Sequence, residues 1–276
     1  METLRPYVAA FSSRFLLMMQ YRAAALAGFV TQCWFGAVRV MVLAAFYQGA
    51  EAATPASLSL SQAVTYTWLA QGLLALLPWA ADPDIAAAVR SGAIGHDRLR
   101  PVDAYALWYA RTAGWMTARV VPRVALMALA VGVVLPLIGQ AEWAWQPPPS
   151  ASAALLFILS LALATVLSCA VVMLINIIVA ATLNARGVNT LAMPVVIVFS
   201  GALLPLPLFP DGIRAALFVQ PLAGVLDIPN RIYSGALTDL AAWAGLGLQA
   251  FWTAALIAGG RLWLGHVMRR LEVQGG

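Results

Sequence analysis

Runs of about twenty apolar residues recur along the whole chain, and each is long enough to cross the ~30 Å hydrocarbon core of a bilayer as a helix. Hydrophobic residues make up 62% of the 276 residues. The polar side chains are too few to cover the surface of a soluble globule of this size. The chain is therefore predicted to be an all-α polytopic membrane protein, with one transmembrane domain over residues 1–276.

The absence of lysine excludes a lysine-containing nucleotide-binding loop from this chain. All 16 basic residues are arginine, so the chain cannot contain the G-x-x-x-x-G-K-[ST] loop that binds nucleotide phosphates. Cys33 and Cys169 lie in apolar helical stretches and fit no metal-binding or disulfide spacing. The arginines form no continuous basic face, which gives nucleic-acid binding no support. We expect this chain itself to bind no metal, nucleotide or other cofactor.

The apolar runs predict six membrane spans, at about 23–47, 62–80, 103–138, 153–182, 190–206 and 240–264. The third run carries Arg111, Arg119 and Arg123 in its first half and only apolar residues in its second half. That asymmetry indicates a helix that projects out of the bilayer before it crosses.

The orientation of the spans follows from the arginines in the short loops. The N-terminus, residues 82–111, the 184–189 loop and the C-terminus carry arginine, whereas the loops 48–61 and 139–152 have none. Loops rich in Arg stay in the cytoplasm, so both termini are predicted to be cytoplasmic. Arg214 and Arg231 are exceptions on the outside.

Residues 1–20 are predicted to form an elbow helix in the membrane interface. Apolar side chains recur there at steps of three and four residues, at Leu4, Val8, Phe11, Phe15 and Met18. Arg14 interrupts the apolar stretch and no small-residue cleavage site follows, which argues against a signal peptide. A helix with one apolar stripe is suited to lie flat on the bilayer.

Residues 205–236 are apolar enough to enter the membrane but contain five prolines, Pro205, Pro207, Pro210, Pro221 and Pro229. One straight helix cannot hold them all. Two short helices on the outer side are predicted instead, and such broken backbone survives at membrane depth only when it packs on protein or lines a wet cavity.

The 82–103 region is the densest polar stretch of the chain. Asp82-Pro83-Asp84 supplies a helix cap, a first-turn proline and a first-turn acid, and Gly92 can end the helix. These signals predict a rod of about 9 residues, or ~14 Å, over residues 84–92. Two interpretations stay open: a helix that docks into another protein, and a solvated connector.

The order of these parts resembles the ABC-2 type transporter permeases. The closest resemblance is to the small bacterial subgroup that is often encoded as unequal pairs, and two segments carry it: IAAAVRSGAIGHDRLRPVDAYALWYAR and FSGALLPLPLFPDGIRAALFVQPLAGVLDIPNRIYSG. The family pattern is an elbow helix, six spans, a cytoplasmic coupling helix between spans two and three, and short extracellular helices between spans five and six.

The resemblance implies the membrane subunit of an exporter in the bacterial cytoplasmic membrane. ATP and Mg would bind to a separate ATPase, present in two copies, and a second, non-identical permease would complete the complex among the membrane lipids. The coupling helix would dock into the ATPase through Asp84, Ile85, Ala88, Val89, Arg90, Arg98 and Arg100. For the arginines the alternative is ordinary anchoring at the cytoplasmic surface. The cargo is expected to be amphipathic or lipid-linked.

Three polar residues inside spans are candidates for the substrate path: Arg39, Gln32 and Asn176. Arg39 lies within the first span, and no Asp or Glu inside any predicted span can neutralise it, so it is a candidate to meet an anionic headgroup or substrate. The alternative for Arg39 is that it snorkels to the outer phosphates. Interhelical hydrogen bonds are the alternative for Gln32 and Asn176.

Two other function classes compete with the exporter. An ATPase-independent secondary transporter is compatible with the proline-broken residues 205–236, but the spans lack acids for ion coupling. An intramembrane enzyme would need Ser200 and His266 to meet within ~3 Å. These residues lie near opposite ends of the predicted spans, which disfavours catalysis.

Overall fold

The computed structural model describes residues 4–50, 58–97 and 101–270, and all regular structure in these ranges is helical. We number the helices in chain order: α1 (Arg5–Met19), α2 (Arg22–Ala50), α3 (Leu60–Gly72), α4 (Pro83–Arg90), α5 (Ile94–Asp97), α6 (Ala104–Leu137), α7 (Ala151–Thr182), α8 (Ala185–Phe199), α9 (Asp211–Val219), α10 (Asp227–Tyr233) and α11 (Asp239–Arg270). Within α6, Ala128–Val134 is π-helical.

Four helices, α2, α6, α7 and α11, are long and apolar enough to cross a membrane. Their apolar lengths run from 28 to 34 residues, and at ~1.5 Å per residue each exceeds the ~30 Å hydrocarbon core. Large apolar side chains such as Trp34 and Leu262 lie exposed on them, 70% and 78% respectively, as is expected where lipid replaces water. The predicted all-helical membrane fold is confirmed at this level.

The second predicted span, 62–80, is broken in the structure. Helix α3 ends at Gly72, a 3₁₀ turn covers Leu73–Leu76, and Leu77 is extended with ψ 129°. The break has a local cause, because Pro78 disfavours helical backbone at the residue before it. Every residue from Ala63 to Gly72 is buried. Residues 63–72 of α3 therefore lie inside the bundle, surrounded by protein, while Leu60 at the start of the helix is exposed.

The fifth predicted span, 190–206, corresponds to α8, which begins five residues earlier and ends at Phe199. Its 15 residues extend about 22 Å, less than the hydrocarbon core. Gly201 ends it with φ +83°, a conformation that L side chains rarely adopt. Because α3 and α8 are both short, the arrangement with six spans stays a prediction.

Helix α1 packs along the first half of α6. A side chain at Gly114 of α6 would collide with the backbone carbonyl of Phe11, so the two helices approach to backbone contact there. None of the residues of α1 is buried, and Val8 is 60% exposed. The predicted helix is therefore present, while its place in the membrane interface stays a prediction.

Residues 205–236 form two short helices, α9 and α10, with 3₁₀ turns at Leu206–Leu208 and Pro221–Gly224. The prolines start these turns or lie in first turns, where the missing N–H removes no intrahelical hydrogen bond. Most of α10 is buried against the bundle. The backbone is therefore broken as the prolines predict, and its depth in the membrane stays a prediction.

Helix α2 packs on α3 through a glycine and a tryptophan. The ring of Trp68 occupies the place that a side chain at Gly36 would take. The indole cannot move easily, because it is 4% exposed and its Nε1 donates to the Trp143 carbonyl at 2.8 Å. Gly36 therefore sets the distance between α2 and α3.

We expect Gly36→Ala to destabilise the bundle, because the added methyl overpacks a fixed indole at a cost of about 1–3 kcal/mol. The matched control is Gly49→Ala in the same helix, where no atom lies within 4 Å of the new methyl. Thermal unfolding in detergent, followed by tryptophan fluorescence, measures both. Equal midpoints for the two variants would show that Gly36 has no packing role.

Candidate coupling site

Helix α4 is a short rod with a signal at each end. The backbone N–H of Asp84 donates to Asp82 Oδ1 at 2.9 Å, and Pro83 is the first helical residue. The helix ends at Arg90, and Gly92 then turns the chain with φ +74°. Asp84 near the start and Arg90 in the last turn both complement the helix dipole. The predicted helix is thus present, shifted by one or two residues.

One face of α4 packs on the bundle. Ile85 and Val89 are 2% and 7% exposed and share a hydrophobic cluster with Met173 and Ile177 of α7. These two predicted docking residues therefore hold the helix and do not face a partner. The exposed residues of α4 are Pro83, Asp84, Ala87 and Arg90, and Ala88 is half-buried. Arg98 and Arg100 lie outside the described residues.

The start of α4 is tied to three other helices. Arg14 of α1 donates to Asp82 Oδ1 at 3.2 Å and also pairs with Asp84. The N–H of Asp82 donates to Asn176 Oδ1 of α7 at 2.8 Å, and the N–H of Ala81 donates to Asn189 Oδ1 of α8 at 3.0 Å. We call Arg14, Asp82, Asn176 and Asn189 the α4 joint.

The α4 joint is buried and charged. The side chains of Asp82 and Arg14 are 1% and 11% exposed. Burial raises the pKa of the Asp82 carboxyl, while the Arg14 guanidinium acts against that shift. A buried acid and base held in this way are costly to separate, because each then leaves a charge without a partner. The geometry suits a mechanical connection better than a reaction, since Oδ1 of Asp82 holds both Arg14 and the N–H of Asp84. Oδ2 of Asp82 and Nε of Arg14 are buried without a hydrogen-bond partner among the described residues.

The structure separates the three candidates for the substrate path. Asn176 is fully buried and belongs to the α4 joint. Nη1 of Arg39 donates to the Ala202 carbonyl at 2.5 Å, so this arginine binds the turn after α8 beside a cavity of about 210 Å³. Gln32 is 6% exposed, and its Oε1 has no hydrogen-bond partner. Among the described residues, no hydrogen bond joins the three into one site, and interhelical bonding accounts for Asn176 and Arg39.

A second buried acid was not singled out from the sequence. Asp227 of α10 is fully buried; Tyr66 Oη donates to its Oδ1 at 3.0 Å, and Arg231 Nη1 donates to its Oδ2 at 3.2 Å. The guanidinium of Arg231 also lies 4.3 Å from the ring centroid of Phe218. The spacing of Asp227 and Arg231, four residues apart on one helix, was the available signal. Asp227 thus neutralises Arg231, one of the two arginines that the loop charges predict on the outer side of the membrane.

The enzyme alternative gains no geometric support. Ser200 is fully buried and its Oγ accepts from the Ala202 N–H at 3.3 Å, whereas His266 is exposed on α11. No hydrogen bond joins these two residues, and the described part of the chain holds no group of three metal-ligating side chains. Nucleophile and base must lie within hydrogen-bond reach to act together.

We expect Asp82→Ala to release α4 from the bundle. The change removes the helix cap and leaves Arg14 with only the exposed Asp84 as its partner. Breaking a buried ion pair costs about 3–5 kcal/mol. The backbone amides of residues 84–90 should therefore exchange with deuterium faster, which mass spectrometry in detergent measures.

Asp84→Ala is the matched control, because Asp84 is 60% exposed and pairs with the same arginine. Exposed ion pairs contribute about 1 kcal/mol or less, so this variant should keep its amide protection. Equal exchange in the two variants would contradict the role of Asp82 in holding α4.

No family model, curated protein or solved structure matches this chain, so the α4 joint rests on the geometry described above and on no relative.

Proposed function

We propose that this chain is the membrane subunit of an ATP-driven exporter of the ABC-2 type, with α4 docked into a separate ATPase. The observation that carries the proposal is the construction of α4. The helix is capped, its Ile85–Val89 face is packed on α7, its opposite face is exposed, and its start is tied to α1, α7 and α8. A solvated connector needs none of these ties.

The distribution of arginine supports a cytoplasmic position for α4. The helix lies near the start of α6 and the ends of α7 and α11, because its buried residues cluster with Tyr105, Met173 and Leu264. Most arginines of the described residues belong to this end of the bundle, namely Arg14, Arg22, Arg90, Arg111, Arg119, Arg123, Arg186, Arg261 and Arg269. Arginine accumulates on the cytoplasmic side of membrane proteins. The same reasoning supports a cytoplasmic location for both termini.

The α4 joint supplies a means of transmitting force. Helix α4 is about 12 Å long, and the two residues before it, Ala81 and Asp82, are fixed to α8 and α7 by amide hydrogen bonds. A rigid element tied in this way passes on a displacement as rigid-body motion, whereas a free loop absorbs it. ATPase closure below α4 would therefore move α7 and α8 together.

Six spans belong to this proposal. Helix α3 and its 3₁₀ turn extend about 27 Å, nearly the thickness of the hydrocarbon. Non-helical backbone at membrane depth must be surrounded by protein, and the segment after Gly72 meets that condition, because Leu73, Ala75, Leu76 and Leu77 are buried. In the complete exporter, two ATPases hold ATP and Mg, and a non-identical second permease completes the path. The cargo moves outward across a bacterial cytoplasmic membrane.

One observation favours a second candidate, the secondary transporter. Asp227 is a fully buried acid, and buried acids carry protons or ions in such proteins. Arg231 and Tyr66 already satisfy both of its oxygens, which favours a structural role. The two functions differ in their energy source, so one preparation distinguishes them.

The test is affinity purification from the native membrane in mild detergent, with every co-purifying chain identified and ATP hydrolysis measured. We expect an ATPase with a nucleotide-binding loop to co-purify. Ala87→Glu changes the exposed face of α4 and should lower the recovered ATPase and the coupled hydrolysis by about tenfold, the effect of losing ~1.4 kcal/mol of binding.

Ala181→Glu is the control, because it makes the same chemical change at an exposed position near the end of α7. That variant should keep its ATPase. Repeated recovery of this chain with no ATPase would overturn the proposal and favour a secondary transporter.

A further inference from the structure

A large cavity lies beside α4, between the α1–α2 junction, α6 and the start of α8. Its volume is about 1110 Å³, slightly above the ~300–1,000 Å³ that small-molecule sites occupy. The cavity borders the exposed face of α4 at Arg90, whereas Asp84 and Ala87 on that face do not line it. Its walls combine arginine and apolar side chains.

Four arginines line this cavity: Arg22 of α2, Arg90 of α4, and Arg119 and Arg123 of α6. No Asp or Glu of the described residues lines it. Asp82 lies at the neighbouring α4 joint, where Arg14 already pairs with it. The cavity thus concentrates positive charge that no acidic side chain of the described residues on its walls neutralises.

Of the four cavity arginines, Arg119 and Arg123 are the two that we expect to gain most from binding an anion. They lie one turn apart on the same helix, where like charges repel. Both are half-buried, and neither forms an ion pair with a described residue. Arg119 lies over the ring of Trp115 at 4.5 Å, while Nε of Arg123 is buried with no hydrogen-bond partner. Partial burial of two unpaired guanidinium charges costs free energy unless an anion binds them.

The backbone makes room for the Arg123 guanidinium. A side-chain carbon at Gly28 of α2 would lie 2.9 Å from its Nη2 and 3.1 Å from its Nε. The absence of a side chain at Gly28 therefore allows the charged group to sit between α2 and α6.

The remaining walls are apolar. They include Met18 and Leu26, and the rings of Trp79 and Trp115. A free anion would gain no favourable contact with these apolar walls. A molecule with a charged head and a hydrocarbon tail matches both parts of the cavity. The fork of a guanidinium binds phosphate oxygens in pairs, so a phosphate is the best-matched head.

We propose that this cavity binds the phosphate head of an anionic membrane amphiphile, with Arg119 and Arg123 as the main phosphate ligands and the apolar walls against its tail. The site goes beyond the exporter proposal, because binding requires neither ATPase nor transport. Lipid and free phosphate share the charged group, and the apolar walls favour the lipid.

The experiment measures binding of a short-chain phosphatidylglycerol to the purified protein in neutral detergent by native mass spectrometry. Phosphatidylcholine and inorganic phosphate are the comparison ligands. We expect phosphatidylglycerol to bind at least about tenfold more tightly than phosphatidylcholine, since charge-assisted hydrogen bonds to two guanidiniums are at stake. Inorganic phosphate at millimolar concentration should not displace the lipid.

The test variant is Arg119→Gln with Arg123→Gln, which should weaken phosphatidylglycerol binding about tenfold or more. Arg186→Gln with Arg269→Gln removes the same charge from exposed positions outside the cavity and should change binding less than about twofold. Gly28→Leu is a second variant: it keeps all four arginines and fills the place of the Arg123 guanidinium, so binding should again weaken.

Three results would overturn the proposal. The first is equal affinity for phosphatidylglycerol and phosphatidylcholine. The second is unchanged lipid binding in both the double variant and Gly28→Leu. The third is displacement of the lipid by inorganic phosphate, which would make this a site for soluble anions. Each can be read on the chain without an ATPase, so failure here and failure of the exporter proposal are distinguishable.

Discussion

The buried pair of Asp82 and Arg14 is the interaction on which the arrangement of this end of the bundle depends. The two residues are 68 positions apart in the chain, and their contact holds α1 against the segment that leads from α3 to α4. Asp82 also caps α4 and donates its own N–H to Asn176 of α7. One residue thus fixes three helices, and its carboxylate is tolerated in a buried place only because Arg14 accompanies it.

A similar acid and base hold the middle of α3. Tyr66 of α3 donates to Asp227, which is paired with Arg231. The central helix is therefore fastened through Tyr66 to α10, and through the segment after Leu77 to the α4 joint. Apolar packing between helices has little preference for one register in lipid, because lipid tails are as apolar as the side chains. The two polar clusters supply that preference.

The sequence was sufficient for features that depend on local pattern. Hydropathy located α2, α6, α7 and α11, and Asp82-Pro83-Asp84 located α4. It was insufficient where distant residues decide. Pro78 accounts for the extended Leu77, but no local pattern shows that α3 ends as early as Gly72 or that Ala63–Gly72 is buried throughout. Asn176 is an ordinary polar residue of a span until the fold places it beside Asp82. The fold likewise gathers Arg22, Arg90, Arg119 and Arg123 from three helices.

Helix α4 connects the two proposals because its sides have different neighbours. Ile85 and Val89 pack on α7, Ala87 is exposed, and Ala86 and Arg90 line the arginine cavity. A rigid helix held at Asp82 cannot shift without moving Arg90 relative to Arg119 and Arg123, which are fixed on α6. The attraction between a guanidinium and a phosphate falls with distance. A shift of Arg90 therefore changes the affinity of the cavity for the phosphate head of the lipid. By reciprocity, an occupied cavity favours the α4 position that binds it best, and an ATPase docked on α4 would sense the bound lipid.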